Sequence, residues 1–202
     1  MKISFCLYGG NPKYLIGALR NAELAPLVYP GWQSVFYVAP DVSNEVIEKL
    51  RVTSEVIIVD DPIWVGYTKG MWRFFAIDDY VIYRDCDSRL NEREADAVRE
   101  WINSGADIHI MHDHPNHTKS ILAGMFGLRG GWINAEIRCR WWNNLHNWES
   151  YYGVDEQILI DLAPEMNLKK VCTHNPDNFK IQLPNKLFVG QRYSEQEIPF
   201  YE

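Results

Sequence analysis

Short apolar runs alternate with helix-compatible segments along the first 111 residues. Five runs have the length and composition of buried strands, and the first four are each followed by a segment that favours a helix. The predicted strands cover residues 3–8, 34–39, 55–59, 80–83 and 107–111. The predicted helices cover residues 14–23, 43–51, 68–78 and 91–104. This alternation predicts an α/β fold with a mostly parallel sheet flanked by helices.

The second half of the chain has a less regular pattern. We predict further strands over residues 121–128, 168–172 and 187–190, and helices over residues 132–148 and 153–162. No internal repeat, low-complexity run or linker interrupts the sequence. We therefore expect a single domain over residues 1–202.

Polar chemistry follows several predicted strands at the point where each ends. Open α/β sheets bind ligands beyond the carboxyl ends of their strands. Gly9 and Gly10 follow the first strand, Asp61 follows the third, and Asp85 and Asp87 follow the fourth. We expect all of these residues along one edge of the sheet.

Asp85 and Asp87 are the strongest candidates for a metal site. Residues i and i+2 of an extended chain point to the same side, so the two carboxylates can converge. Their mutual repulsion favours a cation between them, and oxygen ligands suit Mg²⁺ or Mn²⁺. The structural alternative is a surface turn in which both aspartates cap the helix that starts near Asn91 and pair with Arg84 and Arg89.

The common phosphate-binding loops are missing from the sequence. The segment Gly9-Gly10-Asn11-Pro12 does not have the dinucleotide-binding spacing, and there is no P-loop. A bound diphosphate would then need a metal and basic side chains. Lys69, Arg73 and Arg84 precede the aspartates, and the first two share a face at helical spacing. A solvated helix face is the alternative for that pair.

Two further segments carry candidate chemistry. His112, His114 and His117 have a spacing that could bind zinc, or they could form a polar loop that binds substrate hydroxyls. Asp155 lies at the start of a predicted helix, where it could cap the helix or act in catalysis.

Composition limits the function classes. A formal net charge of −7 disfavours general binding to nucleic acids or anionic membranes. The four cysteines are scattered without a zinc or disulfide pattern, which favours a reducing compartment. No apolar run has the length of a membrane-spanning helix, and the N-terminus does not match a signal peptide. We expect a cytoplasmic protein, of a cell or of a virus-infected host cell.

Taken in order, five segments resemble GT-A type glycosyltransferases. They are KGMWRFFAIDD, RDCDSRLNERE, HDHPNH, ILAGMFG and GVDEQILI. The pattern is similar to the small glycosyltransferase domains of large algal viruses and of bacterial surface-polysaccharide clusters. The resemblance implies a GT-A (Rossmann-like) fold, with a nucleotide-binding half over residues 1–111 and a mixed, acceptor-side half over residues 112–202.

The resemblance also implies roles for individual residues. The metal ligands would be Asp85 and Asp87, with His174 as the candidate for a third. The donor-binding set would include Leu7, Tyr8, Gly9, Asp61, Lys69, Arg73, Arg84, Asp85, His114 and Gln157. His112, Asp113 and His114 would lie beside the donor sugar with Gly124 below, and Asp155 and Gln157 match an aspartate-glutamine pair that faces the transferred sugar.

These residues predict a transferase that depends on Mn²⁺ or Mg²⁺. It would move a hexose or deoxyhexose from a UDP-linked donor to a hydroxyl of a glycan. In an inverting enzyme, Asp155 or Asp113 would deprotonate the acceptor hydroxyl. In a retaining enzyme, the leaving phosphate could take that proton while Asp155 stabilises positive charge on the sugar. The alternatives are a metal-dependent hydrolase built on His112, His114 and His117, and a catalytically silent sugar-nucleotide binding domain.

Overall fold

The structure is a computed structural model that describes residues 1–130, 135–144, 148–166 and 168–200. The described strands are β1 (Lys2–Leu7), β2 (Gln33–Val38), β3 (Glu55–Ile58), β4 (Tyr80–Arg84), β5 (Ile108–Met111), β6 (Met125–Arg129) and β7 (Val171–His174). The described α-helices are α1 (Pro12–Val28), α2 (Asn44–Arg51), α3 (Glu92–Ser104), α4 (Ala135–Asn144) and α5 (Val154–Leu162). Short 3₁₀ segments cover Gly66–Phe75, Ala163–Met166 and Pro184–Lys186.

The seven strands form one sheet in the order β3-β2-β1-β4-β6-β5-β7. Neighbouring strands are parallel from β3 to β4, and β5 is parallel to β7. Strand β6 is antiparallel to both β4 and β5, so it is the one reversed strand of the described sheet. The prediction of a mostly parallel sheet flanked by helices is therefore confirmed.

Side chains on the two faces of the sheet pack into separate apolar cores. On one face, α1, α2 and α3 cover alternate strand residues such as Phe5 and Phe36, whose rings stack 4.7 Å apart. On the other face, the 3₁₀ segment Gly66–Phe75, α4 and α5 cover the intervening residues, including Tyr83 and Phe126. This alternation along each strand decides which face every polar residue of the strand enters.

Helix α1 is longer than the predicted helix over residues 14–23. It starts after Asn11, whose side chain caps the backbone N–H of Lys13, and it continues through Pro26 to Val28. A proline inside a helix leaves the carbonyl four residues earlier without its usual partner. That carbonyl belongs to Ala22, and the Thr53 hydroxyl donates a hydrogen bond to it at 3.4 Å.

Several predicted boundaries are wrong. The segment predicted as a helix over residues 68–78 is the 3₁₀ segment Gly66–Phe75. The strand predicted over residues 168–172 is β7, which begins at Val171. The N–H groups of Lys169 and Lys170 just before it both donate to the Asp107 side chain, at Oδ2. Strand β6 begins at Met125, after a turn in which the Met125 N–H bonds to the Leu122 carbonyl.

The predicted strand over residues 187–190 does not form. Instead these residues follow the 3₁₀ segment Pro184–Lys186 and turn at Gly190, whose φ is 84°. Hydrogen bonds from Leu187 N to Pro184 O and from Gln191 N to Phe188 O hold two successive turns. The predicted helix over residues 132–148 corresponds to α4, and its remaining parts at 132–134 and 145–147 lie outside the described residues.

Among the described residues, no helix is both long enough and apolar enough to cross a membrane. The single-domain organisation over residues 1–202 and the cytoplasmic location stay predictions.

Arg84 is buried away from the carboxyl edge, although its position beside Asp85 predicted a phosphate contact. It follows the same alternation as Ile82 and so enters the face covered by α3. Its Nε donates to Glu94 Oε2 at 3.3 Å, and each side chain is only 2% exposed. Tyr29 also donates to Glu94, at 3.2 Å. Arg84 therefore fastens β4 to α3.

We expect Glu94→Ala to lower the free energy of unfolding by about 3 kcal/mol, because it removes the acceptor of both Arg84 and Tyr29 in a buried place. Glu92→Ala is the matched control: Glu92 is an exposed residue of the same helix turn and should change stability by less than about 0.5 kcal/mol. Urea unfolding of the three proteins measures both values. Equal stability of the two variants would contradict a buried pair that holds β4 to α3.

Candidate functional site

A cavity of about 720 Å³ opens at the carboxyl edge of the sheet. Its walls come from the loop after β1, the loop after β4, the turn before β6, the start of α5 and the segment around residues 188–192. Strand β6 is antiparallel to β4 and β5, so its first residues lie beside the last residues of those two strands at this edge. The cavity therefore lies where an open α/β sheet binds its ligands.

Asp85 and Asp87 both line this cavity. The Asp85 side chain is 46% exposed and that of Asp87 is 8% exposed. Their loop is held at both ends, because Ser88 Oγ donates to the Asp85 carbonyl and Tyr193 N donates to the Asp87 carbonyl. The sequence pattern thus places one accessible and one buried carboxylate at the same opening.

The capping alternative for these aspartates is wrong. Helix α3 is capped by Asn91, whose side chain accepts a hydrogen bond from Glu94 N at 3.1 Å. Arg89, the other proposed partner, bonds to Glu197 at 2.5 Å. Asp85 and Asp87 therefore neither cap α3 nor pair with Arg84 or Arg89, and both line the cavity.

Two basic side chains form ion pairs with the three carboxylates around the cavity. Arg73 Nη1 donates to Asp85 Oδ1 at 2.7 Å, and Arg73 Nη2 donates to Asp155 Oδ2 at 2.5 Å. Lys13 Nζ donates to Asp87 Oδ2 at 2.7 Å. Arg73 therefore links the end of β4 to the start of α5, and Lys13 links the same loop to α1.

Burial and repulsion shift the ionisation of these groups. Burial raises the pKa of Asp87, and the neighbouring charge of Asp85 raises it further against the opposing effect of Lys13. Burial also raises the pKa of Asp155, although Arg73 lowers it. For Arg73 itself, burial lowers the pKa, but Asp85, Cys6 and Asp155 together raise it above its ordinary value. The fold therefore holds the carboxylates close together against a real electrostatic penalty.

Two glycines let the backbone lie close to the carboxylates of Asp85 and Asp155. A Cβ atom on Gly124 would lie 2.0 Å from Asp85 Oδ2, and one on Gly70 would lie 2.8 Å from Asp155 Oδ2. Neither glycine has a positive φ, so the clearance and not the backbone conformation requires glycine at these positions. The space beside both carboxylates is therefore built into the backbone.

The loop after β1 forms the opposite wall. Leu7, Tyr8 and Gly9 line the cavity, and Gly9 adopts a φ of 73° while its N–H donates to Asp41 Oδ1 at 3.0 Å. Lys69 stands behind this loop: its ammonium lies 5.9 Å from the Tyr8 ring centre and 3.7 Å from Asp41 Oδ2. Lys69 therefore supports the wall and does not line the cavity.

Other nominated residues are directed elsewhere. Asp61 accepts from Ile63 N, and Gln157 donates to Asp161 at 2.8 Å. Asp113 is buried between both arms of Arg93, at 2.6 and 2.7 Å, and also accepts from Val189 N at 2.8 Å. The carboxylate of Asp113 is thus committed to structural contacts, and neither it nor Asp61 or Gln157 lines the cavity.

His112, His114 and His117 do not converge on a common point. Each uses one ring nitrogen within its own loop: with the Lys119 carbonyl, Asn116 N and Asp113 N respectively. His117 and Phe188 line the cavity, whereas His114 does not line it and stacks on Phe188 at 4.3 Å. Burial lowers the pKa of His117 to about 4. Across the described residues, this trio is not among the sets that could share one metal ion.

The structure does not bring His174 to Asp85 and Asp87. Its side chain is 4% exposed, does not line the cavity, and contacts His109 and Glu100 on the face covered by α3. The predicted role of His174 as the third ligand of that metal site therefore has no geometric basis.

Lys13 is the functional candidate that the sequence reasoning missed. It precedes its partner Asp87 by 74 residues, so no local pattern connects the two. A signal did exist: Lys13 follows the loop after the first strand, and this loop faces the same edge as the aspartates.

No protein-family model matches this sequence, and no curated protein matches it. Solved structures do match. Glucosyl-3-phosphoglycerate synthase from Mycobacterium tuberculosis, in complex with Mn²⁺, UDP and phosphoglyceric acid, has a TM-score of 0.53 at 14% identity, covering 87% of this chain and 68% of that one. The same enzyme with Mn²⁺, UDP-glucose and glycerol 3-phosphate gives a TM-score of 0.52 at 15% identity, covering 87% and 70%.

A structure described only as a mycobacterial protein gives a TM-score of 0.53 at 15% identity. It is covered over 65% of its length, so this chain spans less than two thirds of it. At such identities the likeness establishes the fold. The chain has the GT-A fold, as the sequence resemblance implied.

We expect Gly124→Ala to lower the free energy of unfolding by about 1 to 3 kcal/mol, because the added methyl group displaces Asp85 from Arg73. Gly10→Ala is the matched control. Gly10 lines the same cavity, but a Cβ atom there meets nothing within 4 Å, so stability should stay equal or rise by about 0.5 kcal/mol. Urea unfolding distinguishes the variants, and a neutral Gly124→Ala would show that Asp85 does not need this space.

Proposed function

We propose that this chain is a metal-dependent glycosyltransferase. It would transfer a hexose or deoxyhexose from a UDP-linked donor to a hydroxyl of a glycan. The observation that carries the proposal is the pair Asp85 and Asp87 at the mouth of a cavity in a GT-A fold. The likeness to enzymes described with Mn²⁺, UDP and UDP-glucose supports the choice of donor and metal.

The donor set fits a hard divalent cation. Asp85 and Asp87 offer carboxylate oxygens from one loop, and burial first and the charge of Asp85 second raise the pKa of Asp87. The clearance at Gly124 leaves the Asp85 carboxylate at the cavity surface. When bound, Mn²⁺ or Mg²⁺ would supply Lewis-acid neutralisation of the diphosphate leaving group. We assign both aspartates to holding this ion.

The cavity walls narrow the set of donor-binding residues. Leu7, Tyr8 and Gly9 provide the surface for the nucleoside. Arg73 lines the cavity beside Asp85, and Lys13 lies outside the lining but contacts Asp87. We leave out the residues that neither line the cavity nor contact the two aspartates: Asp61, Lys69, Arg84, His114 and Gln157.

Asp155 is the carboxylate that we assign to the transfer step. In the reaction, the bond from the anomeric carbon to the diphosphate oxygen breaks and a bond to the acceptor oxygen forms. An inverting route would pass the acceptor proton to Asp155, and its raised pKa makes it a better base than an ordinary aspartate. A retaining route would pass the proton to the leaving phosphate, and Asp155 would stabilise positive charge on the sugar.

Exposed aromatic rings at the cavity support a sugar as acceptor. Tyr67 and Tyr152 line the cavity, are 47% and 71% exposed, and lie edge to face with ring centres 5.9 Å apart. Such rings present an apolar surface beside a polar hydroxyl, which suits the C–H face and the hydroxyl groups of a sugar ring. Nothing comparable favours the hydrolase alternative, because its three histidines do not converge.

We expect Asp87→Asn to abolish Mn²⁺-dependent UDP binding. The thermal midpoint without metal should not fall. The raised pKa means that the ionised Asp87 carboxylate is less favourable in the folded than in the unfolded chain. The protein therefore becomes less stable as the pH rises through the folded-state pKa of Asp87, and an uncharged side chain there avoids this cost. Thermal shifts with UDP, with and without Mn²⁺, measure both effects.

The control for that experiment is Asp79→Asn. Asp79 is an exposed aspartate before β4 that does not line the cavity, and its variant should keep the full shift. Retention of the Mn²⁺-dependent shift by Asp87→Asn would overturn the assignment of the metal site.

We expect Asp155→Asn to reduce UDP release from UDP-hexoses by about 100-fold while UDP still binds, because the variant removes the charge that acts in the transfer step. Asp161→Asn, on the exposed side of the same helix, should keep the wild-type rate. The assay is UDP release over a panel of UDP-hexoses and oligosaccharide acceptors. Wild-type chain that binds UDP but releases none with any acceptor would identify a silent binding domain instead.

A further inference from the structure

His109, Cys172 and His174 form a second group of metal-type ligands, away from the cavity. His109 lies on β5 and pairs in register with Cys172 on β7, so both side chains leave the same face of the sheet. His174 follows Cys172 by two residues and returns to that face. Helix α3 covers the group, and the ring of Trp101 stacks on His109 at 5.5 Å.

The ligand atoms are already close to tetrahedral separations. His109 Nε2 and His174 Nδ1 are 2.8 Å apart, Cys172 Sγ is 4.0 Å from His174 Nδ1, and all three atoms lie within 4.8 Å of one another. In a tetrahedral zinc site these separations would be about 3.3 Å between nitrogens and about 3.6 Å between nitrogen and sulfur. The two distances that involve His174 Nδ1 would each change by about 0.5 Å or less, and the third by up to about 1.2 Å.

The neighbouring groups suit metal binding by the histidines. Glu100 Oε2 lies 3.3 Å from His174 Nε2, so this carboxylate holds the ring proton on Nε2 and leaves the lone pair of Nδ1 free to bind. His109 is fully buried, where a charged ring would be costly, and the neutral ring is the form that binds a metal.

His109 can present the required nitrogen without losing another hydrogen bond. Its Nδ1 atom is buried and finds no partner within the described part of the chain. Moving the ring proton from Nε2 to Nδ1 therefore exchanges one N–H···N bond to His174 for a bond to a metal.

Cys172 completes the set and decides the type of metal. Its side chain is half-buried, and its thiol would release a proton to solvent on binding a metal. One thiolate and two imidazoles suit Zn²⁺, whereas Mn²⁺ and Mg²⁺ prefer oxygen ligands. Water would be the fourth ligand of a tetrahedral ion at this site.

We propose that His109, Cys172 and His174 bind one Zn²⁺ ion, independently of the metal held by Asp85 and Asp87. The ion would fasten β7, the edge strand of the sheet, to β5 beneath α3. Its role is structural, because the site faces α3 and does not line the cavity.

The first test uses the whole chain after treatment with a chelator. We expect it to bind one equivalent of Co²⁺ with a thiolate-to-cobalt charge-transfer band, and Zn²⁺ should remove the band at one equivalent. Excess Mn²⁺ should leave the band unchanged. Co²⁺ binding without a thiolate band, or no binding at all, would contradict the proposal and would leave a plain His109–His174 hydrogen bond as the role of this pair.

The second test uses Cys172→Ser with Cys139→Ser as the matched control, since Cys139 is an exposed free cysteine of α4. We expect Cys172→Ser to lose the band and to weaken Zn²⁺ binding at least tenfold, while Cys139→Ser keeps both. Asp87→Asn should also keep both, which separates this site from the proposed catalytic one. The reverse pattern between the two cysteine variants would place the bound metal elsewhere. The wild-type spectrum decides the question even where Cys172→Ser does not fold.

Discussion

The buried guanidinium of Arg73 is the interaction on which the arrangement of the cavity depends. It bonds to Asp85 at the end of β4 and to Asp155 at the start of α5, two carboxylates that the chain separates by 70 positions. Its own backbone is anchored to β1, because Ser4 Oγ donates to the Arg73 carbonyl at 2.6 Å. One positive charge thus fixes a strand end, a helix start and a 3₁₀ segment against the centre of the sheet.

The charges at this edge also explain why a donor diphosphate would need a cation. The contacts pair three carboxylates, of Asp85, Asp87 and Asp155, with two cations, Arg73 and Lys13. Arg192 also lines the cavity and acts on Asp87, so these groups have no excess of positive charge to offset a diphosphate. A divalent ion held by Asp85 and Asp87 would supply the missing positive charge, and Arg73 and Lys13 would add theirs beside it.

The alternation of strand residues explains which sequence predictions succeeded. The order of strands and helices, and the position of Asp85 and Asp87 at a strand end, follow from local apolar patterns. Arg84 and His174 were misassigned because the pattern does not say which face of the sheet α3 will cover. The contact of Lys13 with Asp87 joins distant segments of the chain, so no local pattern predicts it. The antiparallel direction of β6 depends on tertiary packing and also could not be derived from one sequence.

The position of the metal in crystals grown with Mn²⁺ and UDP tests this account most directly. Anomalous diffraction at the manganese absorption edge should show one strong peak in contact with the carboxylates of Asp85 and Asp87 and with the diphosphate of UDP. A peak at another place in the molecule, or UDP bound in the cavity without manganese, would contradict it.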